Sequence, residues 1–111
     1  MKRSVTMLIA VLLVALLAVA GQAPGKKLKV FISVDMEGVA GLIHWDETSE
    51  GGADYPLFRK LMTEETNAAI TGALEAGATE IVVRDSHGSA RNILPDLLRP
   101  EARLIPEWNS P

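Results

Sequence analysis

With 111 residues the chain has room for one domain at most, and the lack of cysteine excludes a disulfide framework, a lipoprotein anchor and a thiol nucleophile. Acidic residues outnumber basic ones, 14 to 11, which disfavours nucleic-acid binding, where a basic face is the norm.

Lys2 and Arg3 precede an unbroken apolar run, Met7 to Ala20, that is too short for a typical membrane span of ~20 residues. Ala18-Val19-Ala20 fits a small-x-small cleavage pattern, with Gly21-Gln22-Ala23 as a second option. Residues 1–20 therefore read as a secretory signal peptide, with an uncleaved N-terminal anchor as the alternative. The expectation is an exported protein, periplasmic or extracellular, that meets the membrane only through this signal. Its removal leaves 9 basic against 14 acidic residues, a net charge of −5. Residues 21–27 read as a linker, and Lys26, Lys27 and Lys29 as a solvated tether. The roughly 90 residues that follow the signal bury only about 60–70% of their unfolded surface, so the core is small.

Leu28 to Val34 is apolar apart from one lysine and rich in β-branched and aromatic residues, which predicts a buried strand over roughly 28–35. It runs into Ser33-Val34-Asp35-Met36-Glu37-Gly38. If the backbone stays extended there, Asp35 and Glu37 share one side and Met36 takes the other. Gly38 to about Tyr55 is a long irregular segment carrying His44, Trp45 and several acids. It reads either as a loop over the end of the strand or as a solvent-exposed acidic insertion. Pro56 suits the first turn of a helix that extends to about Ala76, with Phe58, Met62, Ala69 and Ala73 on its apolar stripe, Leu61 and Ala76 beside it, and Gly77 as its C-terminal cap. Gly72 inside that helix costs ~1 kcal/mol relative to alanine unless close packing requires it. A second buried strand follows at about 79–84, then a turn at Gly88-Ser89-Ala90, a short helix over Asn92 to Leu98 and a third short strand at 102–105. Strand, helix, strand is a βαβ unit, so the fold class is α/β with a parallel sheet.

The second strand ends in Asp85-Ser86-His87-Gly88. If the two strands are adjacent and parallel, Asp35, Glu37, Asp85 and His87 converge at the carboxyl edge of the sheet, where open α/β sheets bind ligands. Carboxylates with an imidazole suit zinc or manganese. His44 reads as a further ligand, a proton shuttle, or a surface histidine against the Trp45 indole. Glu65 belongs to a polar helix face or supports the metal edge from behind. Ser86 lies beside His87, but adjacent residues on a strand end do not make a nucleophile–base pair, and neither a Gly-x-Ser-x-Gly elbow nor a phosphate-binding glycine loop is present.

Ser-Val-Asp-Met-Glu-Gly at 33–38, Leu-Met-Thr-Glu-Glu-x-Asn at 61–67, Ala-Gly-Ala at 76–78 and Asp-Ser-His-Gly at 85–88, followed by Arg91-Asn92, occur in an order that resembles the zinc-dependent D-aminopeptidase family from about Lys29 to Ile105. The resemblance implies a two-zinc peptidase that removes N-terminal D-amino acids from short peptides and assembles into ring-shaped homo-oligomers. It places Asp35, Glu37 and His87 on metal-ligand positions, with Asp35 suited to bridge two ions. Asp85 is then not a ligand and orients His87 or its loop, and Glu65 and Asn92 join it as supporting or substrate-side candidates. Family members are more than twice as long, and their remaining ligands, a histidine and a glutamate, and a further histidine for catalysis are expected beyond Pro111. Residues 28–111 accordingly read as the N-terminal portion of a larger α/β metallopeptidase domain, carrying about half of the metal site. The expectations from other classes are a non-catalytic secreted fragment acting as a binding or assembly module, and a different metal-dependent amide or ester hydrolase.

Overall fold

The computed structural model describes residue 25 and residues 27–105. The expected signal peptide, most of the linker and the segment after Ile105 lie outside the described residues.

Among the described residues, three parallel strands and one long helix form the frame. Strand β1 is Leu28–Val34, helix α1 is Tyr55–Glu75, strand β2 is Ala78–Asp85 and strand β3 is Ala102–Ile105. The order across the sheet is β1-β2-β3, with β2 in the centre. Register pairs Val30 with Ile81, Ile32 with Val83 and Val34 with Asp85, and then Ile81 with Ala102 and Val83 with Leu104. Because side chains alternate along a strand, these residues share the face that α1 covers. The ladder continues past the strands, since the Ser86 N–H donates to the Val34 carbonyl (2.8 Å).

The core lies between that face and α1. Phe58, Met62 and Ile70 from the helix meet Ile81 and Val83 from the sheet, joined by Met36, Val39 and Ile93 from the connections. The helical stripe differs from the sequence expectation. Thr66 and Ile70 continue the line from Phe58 and Met62, whereas Ala69 and Ala76 face solvent. Thr66 enters the core because its hydroxyl donates to the Met62 carbonyl (2.7 Å), which removes the cost of burying a polar group. Pro56 stands in the first turn of α1, and Gly77, at φ 89°, ends the helix in the left-handed conformation that glycine tolerates.

Residues 92–98 form a turn rather than the expected helix. The Leu97 and Leu98 N–H groups both donate to the Leu94 carbonyl (3.1 Å each), and regular pairing goes no further. Seven residues enclosing Pro95 and stopped by Pro100 are too few to sustain a helix unaided. Side chains of other elements hold the segment instead. Asp85 takes the N–H groups of Asn92 and Ile93, the Thr63 hydroxyl takes that of Leu94, and the Asn67 amide bonds the Leu97 carbonyl and the Arg99 N–H.

Candidate metal centre

The carboxyl ends of β1 and β2 are neighbours, so the residues after them are delivered to one place. Asp35 is still extended (φ −127°, ψ 140°), and Met36–Gly38 then curls into a single 3-10 turn. Met36 drops into the core and is fully buried, while Asp35 and Glu37 both turn toward His87. The shared side expected for the two acids is therefore reached, by a turn anchored on Met36 rather than by continued strand.

His87 Nδ1 lies 2.9 Å from Glu37 Oε2 and 3.2 Å from Asp35 Oδ1. Its other ring nitrogen, Nε2, lies 2.9 Å from the Thr48 carbonyl. A carbonyl can only accept, so Nε2 carries a proton and Nδ1 is the atom offered to the carboxylates. Burial alone would depress the imidazole, but the Thr48 carbonyl and then the Glu37 and Asp35 carboxylates outweigh it and raise its pKa above the ordinary 6.5. Asp35 is raised above the usual carboxylate value, first by burial and then by the neighbouring Glu37. Burial pushes Glu37 upward as well, yet hydrogen bonds with Asp35, its own backbone and His87 prevail and lower it. Without a cation, the crowding favours the protonated imidazole of His87 and favours the charged form at Glu37 over that at Asp35.

That crowding is what a divalent cation relieves. One ligand atom from each of Asp35, Glu37 and His87 lies within 4.8 Å of the others. Two of the separations are close to the roughly 3.4 Å edge of a tetrahedron with ligands ~2.0–2.2 Å from zinc. Two carboxylates and an imidazole nitrogen, with the far imidazole N–H bound to a backbone carbonyl, form a donor set and outer support that fit zinc.

Asp85 does not join this group, contrary to the convergence expected from adjacent parallel strand ends. It points to the α1 face, 1% exposed. There Oδ2 accepts from the Asn92 N–H (2.6 Å) and the Ile93 N–H (2.9 Å), and Oδ1 accepts from Asn92 Nδ2 (2.9 Å) and, at longer range, from the His87 N–H (3.3 Å). Asn92, fully buried, also donates to the His87 carbonyl (2.5 Å) and accepts from the Tyr55 hydroxyl (2.5 Å). Asp85 and Asn92 thus fix the backbone on which His87 rides. Glu65 does not reach the group either. Its Oε1 accepts the Ala40 N–H (2.8 Å), tying the segment just after Glu37 to α1.

The long connection lies against the metal edge, as the Thr48 contact shows. Its Trp45–Thr48 3-10 turn has reciprocal caps: His44 Nδ1 accepts from the Asp46 N–H (3.2 Å), and Glu47 Oε2 accepts from the N–H groups of His44 (3.0 Å) and Ile43 (2.8 Å). His44 is a surface cap and not part of the ligand group. Thr48 was not legible as a site residue, because its contribution is a main-chain oxygen to which no side-chain pattern points.

The sequence profile of the D-aminopeptidase family matches residues 28–111. The chain belongs to the D-aminopeptidase family. It is 42% identical over 78 residues to the D-aminopeptidase of Bacillus subtilis strain 168, an alignment that covers 70% of this chain and 28% of that protein. Among solved structures it matches the zinc-dependent D-aminopeptidase DppA of Bacillus subtilis, described as a self-compartmentalizing protease, with a TM-score of 0.70 and 41% identity. That match covers 72% of this chain and 29% of that one. The chain thus spans less than a third of the length of these D-aminopeptidases, and the part it spans holds the parallel sheet and the Asp35–Glu37–His87 group.

Proposed function

We propose that this chain serves a zinc-dependent aminopeptidase that releases N-terminal D-amino acids from short peptides, contributing Asp35, Glu37 and His87 to a two-zinc centre. The observation that carries the reading is the meeting of these three side chains at the ends of two adjacent parallel strands, in a family whose solved member is zinc-dependent. Zinc there supplies Lewis-acid polarisation of a carbonyl and acidification of a water. The chain's own residues do the rest. Asp35 and Glu37 supply the negative charge that holds the cation. Thr48 fixes the His87 tautomer so that Nδ1 faces them, and Asp85 with Asn92 holds the His87 backbone still.

The test is equilibrium zinc binding by the chain and by an Asp35→Ala/His87→Ala variant. Zinc bound by the parent and lost in the variant supports the reading; equal binding by both, or by neither, refutes it. A second reading has its own support. Register places Phe31 beside Val82 on the sheet face away from α1, and Phe31 is exposed there. Such a face favours association with further copies, in keeping with the self-compartmentalizing description of the solved relative. Export through the apolar run at Met7 to Ala20 belongs to the same proposal, and the N-terminal residue of the secreted protein tests it.

A further inference from the structure

A cleft of about 380 Å³ opens beside the metal group, lined by Glu37 together with Leu42, Ile43, His44 and Trp45. Its wall combines two features that rarely coincide on an idle surface. Ile43 and Trp45 are 87% and 72% exposed, which leaves two large apolar side chains in water. Yet the backbone that presents them is pinned, with the Ile43 and His44 N–H groups on Glu47, the Trp45 carbonyl on the Thr48 hydroxyl (2.8 Å), and the Thr48 carbonyl on His87. The same turn therefore holds both the apolar wall and the metal-site histidine.

We propose that Leu42, Ile43 and Trp45 form the subsite for the apolar side chain of the substrate's N-terminal residue, an inference that rests on the metal-peptidase reading above. When a scissile carbonyl lies at the Asp35–Glu37–His87 group, the β-carbon of the N-terminal residue is two bonds from that carbonyl carbon. The side chain then emerges next to Glu37, which itself lines the cleft. The volume is at the lower end of small-molecule sites, suited to one amino-acid side chain with its adjoining backbone. The capped turn pre-organises the wall, so little ordering cost opposes binding.

The test uses the full chain with zinc bound and calorimetric titration with two zinc-chelating probes, D-leucine hydroxamate and glycine hydroxamate. D-Leucine hydroxamate is expected to bind at least about tenfold more tightly, the factor that burial of a leucine-sized side chain gives. An Ile43→Ser/Trp45→Ser variant is expected to keep the zinc affinity and the glycine hydroxamate affinity of the parent, and to bring the two probes within about threefold of each other. Equal affinities in the parent overturn the proposal. So does a variant that loses both probes by the same factor, or one whose change is in sedimentation behaviour rather than in preference, which would make the wall an interface between copies. Zinc bound without side-chain discrimination sinks this inference alone, whereas zinc binding indifferent to Asp35 and His87 sinks the metal-peptidase reading and the subsite with it.

Discussion

Replacing Asp85 by alanine tests whether the His87 loop is held from beneath. Three short hydrogen bonds end on this buried carboxylate: two from the backbone N–H groups of Asn92 and Ile93 and one from the Asn92 amide. Both donor residues are almost wholly buried, so water does not replace the lost acceptor freely. Each unsatisfied buried donor costs about 1–3 kcal/mol. The three share one acceptor, and the penalties are not additive, so the loss is about 3–5 kcal/mol. A domain of this size has a total stability of about 4–12 kcal/mol, so the loss is a large fraction of the whole. Urea denaturation followed by circular dichroism measures the loss directly. Asp85→Asn keeps the shape and one acceptor oxygen but turns an NH2 group toward an N–H donor, and should lie between alanine and the parent. An Asp85→Ala protein within about 0.5 kcal/mol of the parent would refute the reasoning, because surface substitutions already span that range.

Two further outcomes follow from the same structure. Gly72 lies inside α1, and a β-carbon built there meets nothing within 4 Å. Gly72→Ala should stabilise the chain by about 0.4–1 kcal/mol and raise its thermal midpoint by several degrees, and a lower midpoint would show a packing role for the bare backbone. For pH, the raised His87 pKa means that its contribution to the metal-free fold is full below the ordinary 6.5 and is lost as pH rises through the folded value; the lowered Glu37 pKa means that its contribution is present above 4.5 and is lost as pH falls through the folded value. The thermal midpoint of the metal-free chain should therefore decline from pH 6 to pH 9. Zinc affinity should rise over the same range, because the cation displaces a proton from Nδ1, and a midpoint and affinity both flat with pH would contradict this.

The strands were legible as short apolar runs and the helix as an apolar stripe between Pro56 and Gly77, and the Asp35–Glu37–His87 cluster was legible because two acids and a histidine follow adjacent strand ends. What escaped did so for definable reasons. Thr66 is polar, and periodicity of apolar residues does not point to it, since the hydrogen bond that lets it into the core closes only once the helix exists. The composition of residues 92–98 allows a helix, and only distant side chains make the segment a turn. The acceptors and donors that fix it belong to Asp85, Thr63 and Asn67, up to 31 residues away in sequence. Adjacent parallel strand ends bring four residues to one edge but do not say which way each side chain turns. Asp85 is still in β2 and its alternation turns it inward, whereas the turn at Met36–Gly38 swings Glu37 outward.

The Thr48–His87 contact makes the connection between Gly38 and Thr48 sensitive in a particular way. The atom that meets the imidazole is an oxygen every amino acid possesses, so exchange of the side chain at 48 leaves the acceptor in place, at the expense of the buried side chain's packing and its hydroxyl bond to Trp45. Deletion or insertion of one residue in that connection does the opposite: it keeps nearly every side chain and moves the oxygen. The segment is thus more tolerant of spelling changes than of frame-preserving changes in length, and a single-codon deletion there is expected to disrupt the Asp35–Glu37–His87 cluster more thoroughly than most point mutations in the same stretch.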